Sequence, residues 1–170
     1  MPIQIRKMRE EDLPQVLTIE QKVYPHPWTP ESFEFEVNIN PVARTWVAEE
    51  WEESILTVAA RQKRLVVGYL VAWVIEDELH IGNVATHPDF RRRGIAKQLL
   101  HRIMDSSIKE KCRISYLEVR STNQAAIALY QEFGFSRYQL RTNYYGDDDA
   151  WMMKKDLEPI LTLSSLPKAG

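Results

Sequence analysis

The residues able to do chemistry lie mostly in the second half of this sequence, beginning with a basic turn. Arg91-Arg92-Arg93-Gly94-Ile95-Ala96 follows a predicted strand and begins a predicted helix. A helix N-terminus presents unpaired N–H groups to an anion, and flanking arginines add charge-assisted hydrogen bonds. Gly94 and Ala96 are small enough to let a diphosphate approach the backbone. Because the turn lacks the residues of a P-loop and of a Gly-x-Gly-x-x-Gly motif, a diphosphate site and a solvated turn both remain open.

A carboxylate interrupts an otherwise apolar strand predicted downstream. Side chains alternate along a strand, so Glu118 shares one face with Tyr116 and Ile114. Apolar surroundings disfavour a carboxylate unless it forms an ion pair or has a function. Burial would raise the pKa of such a carboxylate toward neutrality, which suits a general base. The alternative is a structural ion pair with Arg120 or with another arginine.

A tyrosine on the following helix is the third candidate. Asn123 is a predicted N-cap, and Tyr130 lies seven residues later, about two helical turns away on the same face. A tyrosine hydroxyl can protonate a leaving group if it reaches one, whereas packing in the core is the commoner role of a helical aromatic residue. His80 and His87 are alternative bases, and Cys112 is a weak candidate acyl carrier.

The bulk properties favour one globular domain and exclude several classes of protein. The chain has 170 residues and a formal net charge of −2, which does not indicate a general polyanion binder. A single cysteine excludes an intramolecular disulfide framework, and no zinc-ligand spacing is present. The N-terminal segment lacks the apolar core of a signal peptide, and no apolar run has membrane-spanning length. We therefore expect a soluble intracellular protein.

The elements that position these residues form an α/β (α+β) pattern. Hydrophobic periodicity and capping residues predict a strand, two helices, three strands, a helix, a strand, a helix and two strands. The predicted strands are residues 3–7, 44–48, 65–75, 79–86, 114–120, 135–142 and 150–156, and the predicted helices are residues 11–23, 30–38, 94–109 and 123–133. Residues 49–64 extend a hairpin or form an extra element. The domain spans residues 1–157, and residues 158–170 form a tail.

These motifs together resemble the GNAT superfamily of N-acetyltransferases. The Arg-x-x-Gly-x-Ala turn at 91–96 precedes a strand and an Asn-x-x-Ala-x-x-x-Tyr helix at 123–130. Further stretches are similar to RimI-type protein N-terminal acetyltransferases and lie at residues 27–29, 117–123, 126–130, 134–135 and 141–145. The likeness covers nearly the whole chain to Leu157. Arg91 stands where glutamine is common in the family, and the segment near residues 51–64 is longer than expected.

The resemblance implies a mixed, mostly antiparallel sheet of about seven strands flanked by about four helices. It also implies acetyl-coenzyme A as cosubstrate and no metal. Glu118 would accept the amine's proton, and Tyr130 would protonate the departing thiolate. Residues 84–86 would separate from the neighbouring strand to bind the pantetheine chain. The implied coenzyme contacts are Val84, Ala85, Thr86, Arg91, Arg92, Arg93, Gly94, Ile95, Ala96, Lys97, Asn123 and Tyr130.

The acceptor implied by the resemblance is the α-amino group of a protein N-terminus, with a ribosomal protein as one candidate. Tyr24, Trp28, Tyr144 and Tyr145 would flank the amine, because tyrosines grip an extended peptide without demanding one side chain. Residues 147–149 would favour a basic peptide or form a solvated turn. The alternatives are an acetyltransferase of a small-molecule amine and a non-catalytic coenzyme A-binding sensor or partner protein. A cytoplasmic location is implied, without membrane or direct nucleic-acid binding.

Overall fold

The computed structural model describes residues 2–52 and 63–157 and contains one seven-stranded sheet with the strand order β1-β2-β3-β4-β5-β7-β6. Neighbouring strands pair antiparallel except β4 and β5, so the predicted fold class is confirmed. The strands are β1 (Ile3–Lys7), β2 (Ala43–Glu52), β3 (Lys63–Ile75), β4 (Glu78–Thr86), β5 (Ile114–Arg120), β6 (Ser136–Arg141) and β7 (Ala150–Asp156). The helices are α1 (Leu13–Val23), α2 (Pro30–Asn38), α3 (Ile95–Lys109) and α4 (Gln124–Glu132).

Local capping groups set the helix boundaries. The Thr29 hydroxyl accepts a hydrogen bond from the Ser32 N–H at 3.2 Å, which confirms the predicted start of α2 at Pro30. The first helix was expected from residue 11 but begins as a short 3₁₀ turn, Glu10–Asp12. There the Asp12 carboxylate accepts from the Arg9 N–H and from the Arg6 guanidinium, so the chain is drawn into a tighter turn.

The sheet is covered on both faces, and each face has its own hydrophobic core. Alternate residues of β3 divide between the two cores, with Leu70 on one side and Tyr69 on the other. Helices α3 and α4 pack on the first face, and α1 and α2 pack on the second. A surface of β4 and β5 is left accessible between these layers.

The feature of the fold that positions the site is a separation between β4 and β5. The two strands pair only from Glu78 with Ile114 to Ile81 with Leu117. Beyond that point the rest of β4 and the rest of β5 run without pairing to each other, as expected for residues 84–86. A wedge-shaped opening results near the middle of the sheet.

Residues 49–64, which the sequence assigned either to a hairpin or to an extra element, belong to a hairpin at both ends. Glu52 pairs with Lys63, so residues 49–52 and 63–64 extend the β2–β3 hairpin. Residues 53–62 and the tail 158–170 lie outside the described residues. Among the helices that the structure describes, none is long and apolar enough to cross a membrane.

Candidate active site

A cavity of about 380 Å³ occupies the opening between β4 and β5. Its walls come from both separated strands, from the loop after α1, from the start of α4 and from the β6–β7 loop. The lining residues include Glu20, Tyr24, Trp28, Gly82, Asn83, Val84, Glu118, Asn123, Tyr130 and Tyr145. The fold therefore gathers both predicted catalytic residues and most of the predicted acceptor residues around one space, although they are far apart in sequence.

Glu118 lies at the first unpaired position of β5 beside β4, where its side chain faces the cavity. Its neighbours Leu117 and Val119 are buried in the core, while Glu118 itself is exposed. The condition under which burial would favour a general base is therefore not met at Glu118, whose side chain is solvent-accessible. Within residues 2–52 and 63–157 the alternative ion pair is not found, and Arg120 instead contacts Asp147 at 2.8 Å. The Glu118 carboxylate is accessible to a ligand in the cavity.

Tyr130 faces the same cavity from α4, with 8% of the residue exposed. Burial, with a smaller contribution from Tyr145, raises the pKa of Tyr130 to about 12. Its phenol is consequently protonated at neutral pH. No group in the described part of the chain hydrogen-bonds this hydroxyl, which leaves it available to donate to a bound molecule.

The loop after α1 forms one side of the cavity, and contacts made by Tyr24 and Trp28 hold it there. The Tyr24 hydroxyl donates to the Val84 carbonyl at 3.0 Å, which fixes the loop against β4. Burial and the neighbouring Tyr130 raise the pKa of Tyr24, so this donor keeps its proton. The Trp28 ring packs against Phe33 and Trp73 with centroid distances of 5.3 and 6.1 Å.

A buried carboxylate at the cavity was not identified from the sequence. Glu20 is 1% exposed, and its Oε1 accepts from the Trp28 N–H at 2.9 Å. The other oxygen accepts from the Tyr69 hydroxyl, and the Asn83 amide approaches both oxygens at 3.3 and 3.4 Å. The available signal was a glutamate on the apolar face of α1. Gly82 and Asn83, at the separation of β4, carried no distinguishing signal.

The two tyrosines of the β6–β7 loop have different positions. Tyr145 lines the cavity, and burial followed by the Glu118 carboxylate raises its pKa to about 12. The Arg120 guanidinium lies over the Tyr145 ring at 4.3 Å. Tyr144 packs edge-on against Tyr145 with ring centroids 5.0 Å apart, but it is 46% exposed and does not line the cavity.

The basic turn before α3 has the geometry of an anion site. Gly94 adopts a left-handed conformation with φ of 73°, and a Cβ added there would meet no atom within 4 Å. In residues 2–52 and 63–157, no protein group accepts from the N–H groups of residues 94–97. Arg91 and Arg92 are exposed and make no ion pair within the same ranges. A helix N-terminus with flanking exposed arginines is a suitable environment for an anion.

Two of the expected cationic contacts are engaged with glutamates. Arg93 pairs with Glu50 at 2.5 Å, and Lys97 pairs with Glu132 at 2.7 Å. Ile95 is buried in the core, so only its backbone can face a ligand. Ala85 is likewise buried, whereas Thr86 and Ala96 are partly exposed.

The acidic run is neither a free patch nor a simple solvated turn. The Asp148 carboxylate accepts from the hydroxyls of Ser121 and Thr122 at 2.8 and 2.5 Å. Asp149 accepts from the Asn143 N–H at 2.7 Å. Since Asp147 pairs with Arg120, all three carboxylates are used to hold the β6–β7 loop.

The other candidate residues lie away from the cavity lining. His80 contacts Glu78, and the His87 ring accepts from the Asp89 N–H. Burial raises the pKa of the Cys112 thiol, which disfavours the reactive thiolate. Within the part of the chain that the structure covers, no group of three or more His, Cys, Asp or Glu side chains forms a metal site.

Sequence comparison gives the chain a family. The sequence model of the acetyltransferase (GNAT) family matches residues 13–135. The [ribosomal protein bS18]-alanine N-acetyltransferase of Escherichia coli strain K12 is 31% identical over 153 residues, covering 88% of this chain and 94% of that protein. The N-alpha-acetyltransferase RimI of Mycobacterium tuberculosis is 34% identical over 105 residues, covering 58% of this chain and 65% of that protein.

Structural comparison agrees over almost the whole chain. The crystal structure of the ribosomal-protein-S18-alanine N-acetyltransferase from Escherichia coli superposes with a TM-score of 0.77 at 26% identity, covering 98% of this chain and 99% of that chain. An Arabidopsis thaliana NAA60 structure in complex with acetyl-CoA superposes with a TM-score of 0.76, covering 92% of this chain and 99% of that chain. At 21% identity the second likeness shows the fold alone.

Proposed function

The chain belongs to the acetyltransferase (GNAT) family, and from that premise we propose that it transfers an acetyl group from acetyl-coenzyme A to the N-terminal α-amine of a protein. The observation that carries the proposal is the cavity between β4 and β5. Glu118 and Tyr130 both line this cavity. Family membership alone makes the chain an acyltransferase, whereas the donor, the acceptor and the residue roles are inferred.

The residues near α3 fit the coenzyme. The N–H groups of residues 94–97 at the start of α3 and the arginines at 91 and 92 suit a diphosphate, and the open side of Gly94 leaves room for it. Val84, Ala85 and Thr86 offer backbone groups along the separated strand to the pantetheine chain. Asn123 would complete the contacts, although its side chain also caps α4 by accepting from the Ala126 N–H.

The coenzyme supplies an activated thioester carbonyl, and the protein supplies the proton transfers. Glu118 accepts a proton from the ammonium through a water molecule, which frees the nitrogen lone pair to attack the carbonyl carbon. As the N–C bond forms and the C–S bond breaks, Tyr130 gives its proton to the departing sulfur, and the nitrogen, which still carries one proton too many for an amide, releases it to water. Tyr130 then regains a proton from solvent, and Glu118 returns its proton to solvent. Each residue thus handles one proton, and its position in the cavity makes general acid–base catalysis possible.

The proposed acceptor is supported by the aromatic lining of the cavity and by the names of two related proteins. Three aromatic side chains, Tyr24, Trp28 and Tyr145, line the cavity. Tyr24 is held on β4 through Val84, and Tyr145 lies beneath Arg120 at the end of β5. Such side chains hold a peptide through its backbone with few demands on sequence. One relative is named as a [ribosomal protein bS18]-alanine N-acetyltransferase and another as an N-alpha-acetyltransferase. We accordingly propose a protein N-terminus, with a ribosomal protein as the first candidate, and a cytoplasmic reaction.

Two peptide pools test the acceptor. The purified protein is incubated with acetyl-coenzyme A and with peptides that have free N-termini and no lysine, or with peptides that have blocked N-termini and free lysines. Mass spectrometry then detects each addition of an acetyl group. Acetylation of the first pool alone is expected. Acetylation of lysines alone, or of neither pool while small amines are acetylated, would refute the protein α-amine as acceptor.

A further inference from the structure

The β6–β7 loop is tied to the β5–α4 turn by a set of hydrogen bonds that the proposed chemistry does not use. We call this set the loop clamp and define it as the contacts of residues 120–122 with residues 147–149. Its centre is Asp148, whose two oxygens accept from the Ser121 hydroxyl at 2.8 Å and from the Thr122 hydroxyl at 2.5 Å. The Asp149 N–H also donates to Asp148 Oδ1 at 2.8 Å.

Backbone bonds extend the loop clamp on both sides of Asp148. The Ser121 N–H donates to the Asp149 carbonyl at 2.9 Å. Within the loop, the Tyr145 N–H donates to the Asp148 carbonyl at 3.1 Å, so the main chain of Tyr145 is bound to the residue that holds the turn. The hydroxyl donors from Thr122 and Ser121 lower the pKa of Asp148, which keeps it ionised as an acceptor at neutral pH.

The loop clamp joins two parts of the cavity. The turn at 120–122 connects the strand that carries Glu118 to the helix that carries Tyr130, and the loop carries Tyr145. The loop is largely exposed and has left-handed positions at Asn143 and Gly146. Besides the loop clamp, the Arg120 guanidinium lies over the Tyr145 ring at 4.3 Å. Asp148 accepts two side-chain hydrogen bonds from the turn and Asp147 accepts one, so Asp148 makes the larger contribution to the position of Tyr145 relative to Glu118.

We propose that Asp148 is a positioning residue for the acceptor, holding the β6–β7 loop on the β5–α4 turn so that Tyr145 forms one wall of the acceptor groove. This inference rests on the proposed function. It assigns Asp148 no contact with the acceptor or with the reacting atoms. Loss of the Asp148 side chain should therefore weaken binding of the acceptor, because Tyr145 lines the cavity. Binding of the coenzyme should change little, because the basic turn before α3 is not part of the loop clamp.

Steady-state kinetics with a free-N-terminus peptide tests this role. Asp148→Ala removes three charge-assisted hydrogen bonds, two of which come from the β5–α4 turn. It should raise the acceptor KM by about tenfold, while the KM for acetyl-coenzyme A changes by less than about twofold. Asp148→Asn should recover most of the loss, since its amide oxygen can accept from Ser121 and its amide nitrogen can donate to the Thr122 hydroxyl. Asp105→Ala, an exposed aspartate on α3, is the control and should leave both constants unchanged.

A second background separates positioning from general destabilisation. In a Tyr145→Ala protein, Asp148→Ala should change the acceptor KM by less than about twofold, because the side chain that it positions is gone. Equal increases in both KM values, or a full effect of Asp148→Ala without Tyr145, would overturn the proposal.

Hydrogen exchange separates failure of this proposal from failure of the proposed function. Asp148→Ala should speed amide exchange in residues 142–149 and leave β5 unchanged. If the wild-type protein acetylates no peptide but amide exchange in the loop is faster in Asp148→Ala, the proposed function is refuted, while the role of Asp148 in holding the loop is supported. If peptides are acetylated but neither loop exchange nor acceptor KM responds to Asp148→Ala, the positioning role is refuted.

Discussion

The buried carboxylate of Glu20 gives the sharpest test of how the cavity wall is built. Its oxygens accept from the Trp28 N–H, the Tyr69 hydroxyl and the Asn83 amide, and no cation pairs with it among the described residues. Glu20→Ala would leave these three donors without their acceptor in a buried place. Glu20→Gln keeps the shape of the side chain and one oxygen, and the Tyr69 hydroxyl can rotate to accept from the new amide.

The magnitude follows from the number of donors left unpaired. A buried donor that loses its partner costs roughly 1–3 kcal/mol, and water entering the space left by Ala offsets part of this for the groups nearest the cavity. We expect Glu20→Ala to lower the free energy of unfolding by about 3 kcal/mol, which corresponds to roughly 6–12 °C in Tm for a domain of this size. Glu20→Gln should lower it by less than about 1 kcal/mol, because it also removes a buried charge.

Urea unfolding of the wild type and both variants measures these differences, and peptide acetylation measures their effect on function. The Trp28 loop is held by Glu20, so Glu20→Ala should also raise the acceptor KM by about tenfold. A loss below about 1 kcal/mol in Glu20→Ala would refute the reasoning, and so would equal losses in the Ala and Gln variants.

Two further outcomes follow from the charges and hydrogen bonds. Because the pKa of Tyr130 is raised to about 12, its hydroxyl stays protonated across the usual assay range, and the wild-type kcat should show no tyrosine-dependent fall below about pH 11. Tyr130→Phe removes this proton donor and should lower kcat on the order of 100-fold. A wild-type loss near pH 10 that Tyr130→Phe abolishes would contradict this. Arg6 donates to Asp12 and Glu49, whose side chains are 5% and 1% exposed, so Arg6→Ala should lower the free energy of unfolding by about 3–5 kcal/mol at pH 7. Burial raises the pKa of Asp12, but the bonds from Arg6 and from the Arg9 N–H outweigh it and leave the pKa below 3.8. The stabilisation is therefore complete above that unfolded-state value and is lost as the pH falls through the lower folded-state value. Urea unfolding across a pH series checks this, and a difference between wild type and Arg6→Ala that persists in strong acid would contradict it.

Features set by local sequence were predicted well. The strand at Ile114–Arg120 has the predicted bounds because alternating apolar residues and β-branched side chains specify it locally. The Asn123 cap and the Thr29 cap are confirmed for the same reason, since each side chain bonds a backbone group three residues away.

Features set by contacts between distant segments were not predicted. The exposure of Glu118 depends on which part of the sheet the helices cover, and alternation along one strand does not reveal this. In the acidic run, the carboxylates of Asp147 and Asp148 take their partners from residues 120–122, about 27 positions earlier in the sequence. Glu20 is buried by segments that come together only in the folded sheet.

In the proposed reaction, Glu118 takes the proton from the amine in this cavity. Glu118→Gln keeps the shape of the side chain and removes the base, so kcat for peptide acetylation should fall on the order of 100-fold. The Kd for acetyl-coenzyme A, measured by calorimetry, should change by less than about twofold, because the basic turn is untouched. A variant that keeps full activity from pH 6 to about pH 9 would contradict the account, because a base other than Glu118 would then be accepting the proton.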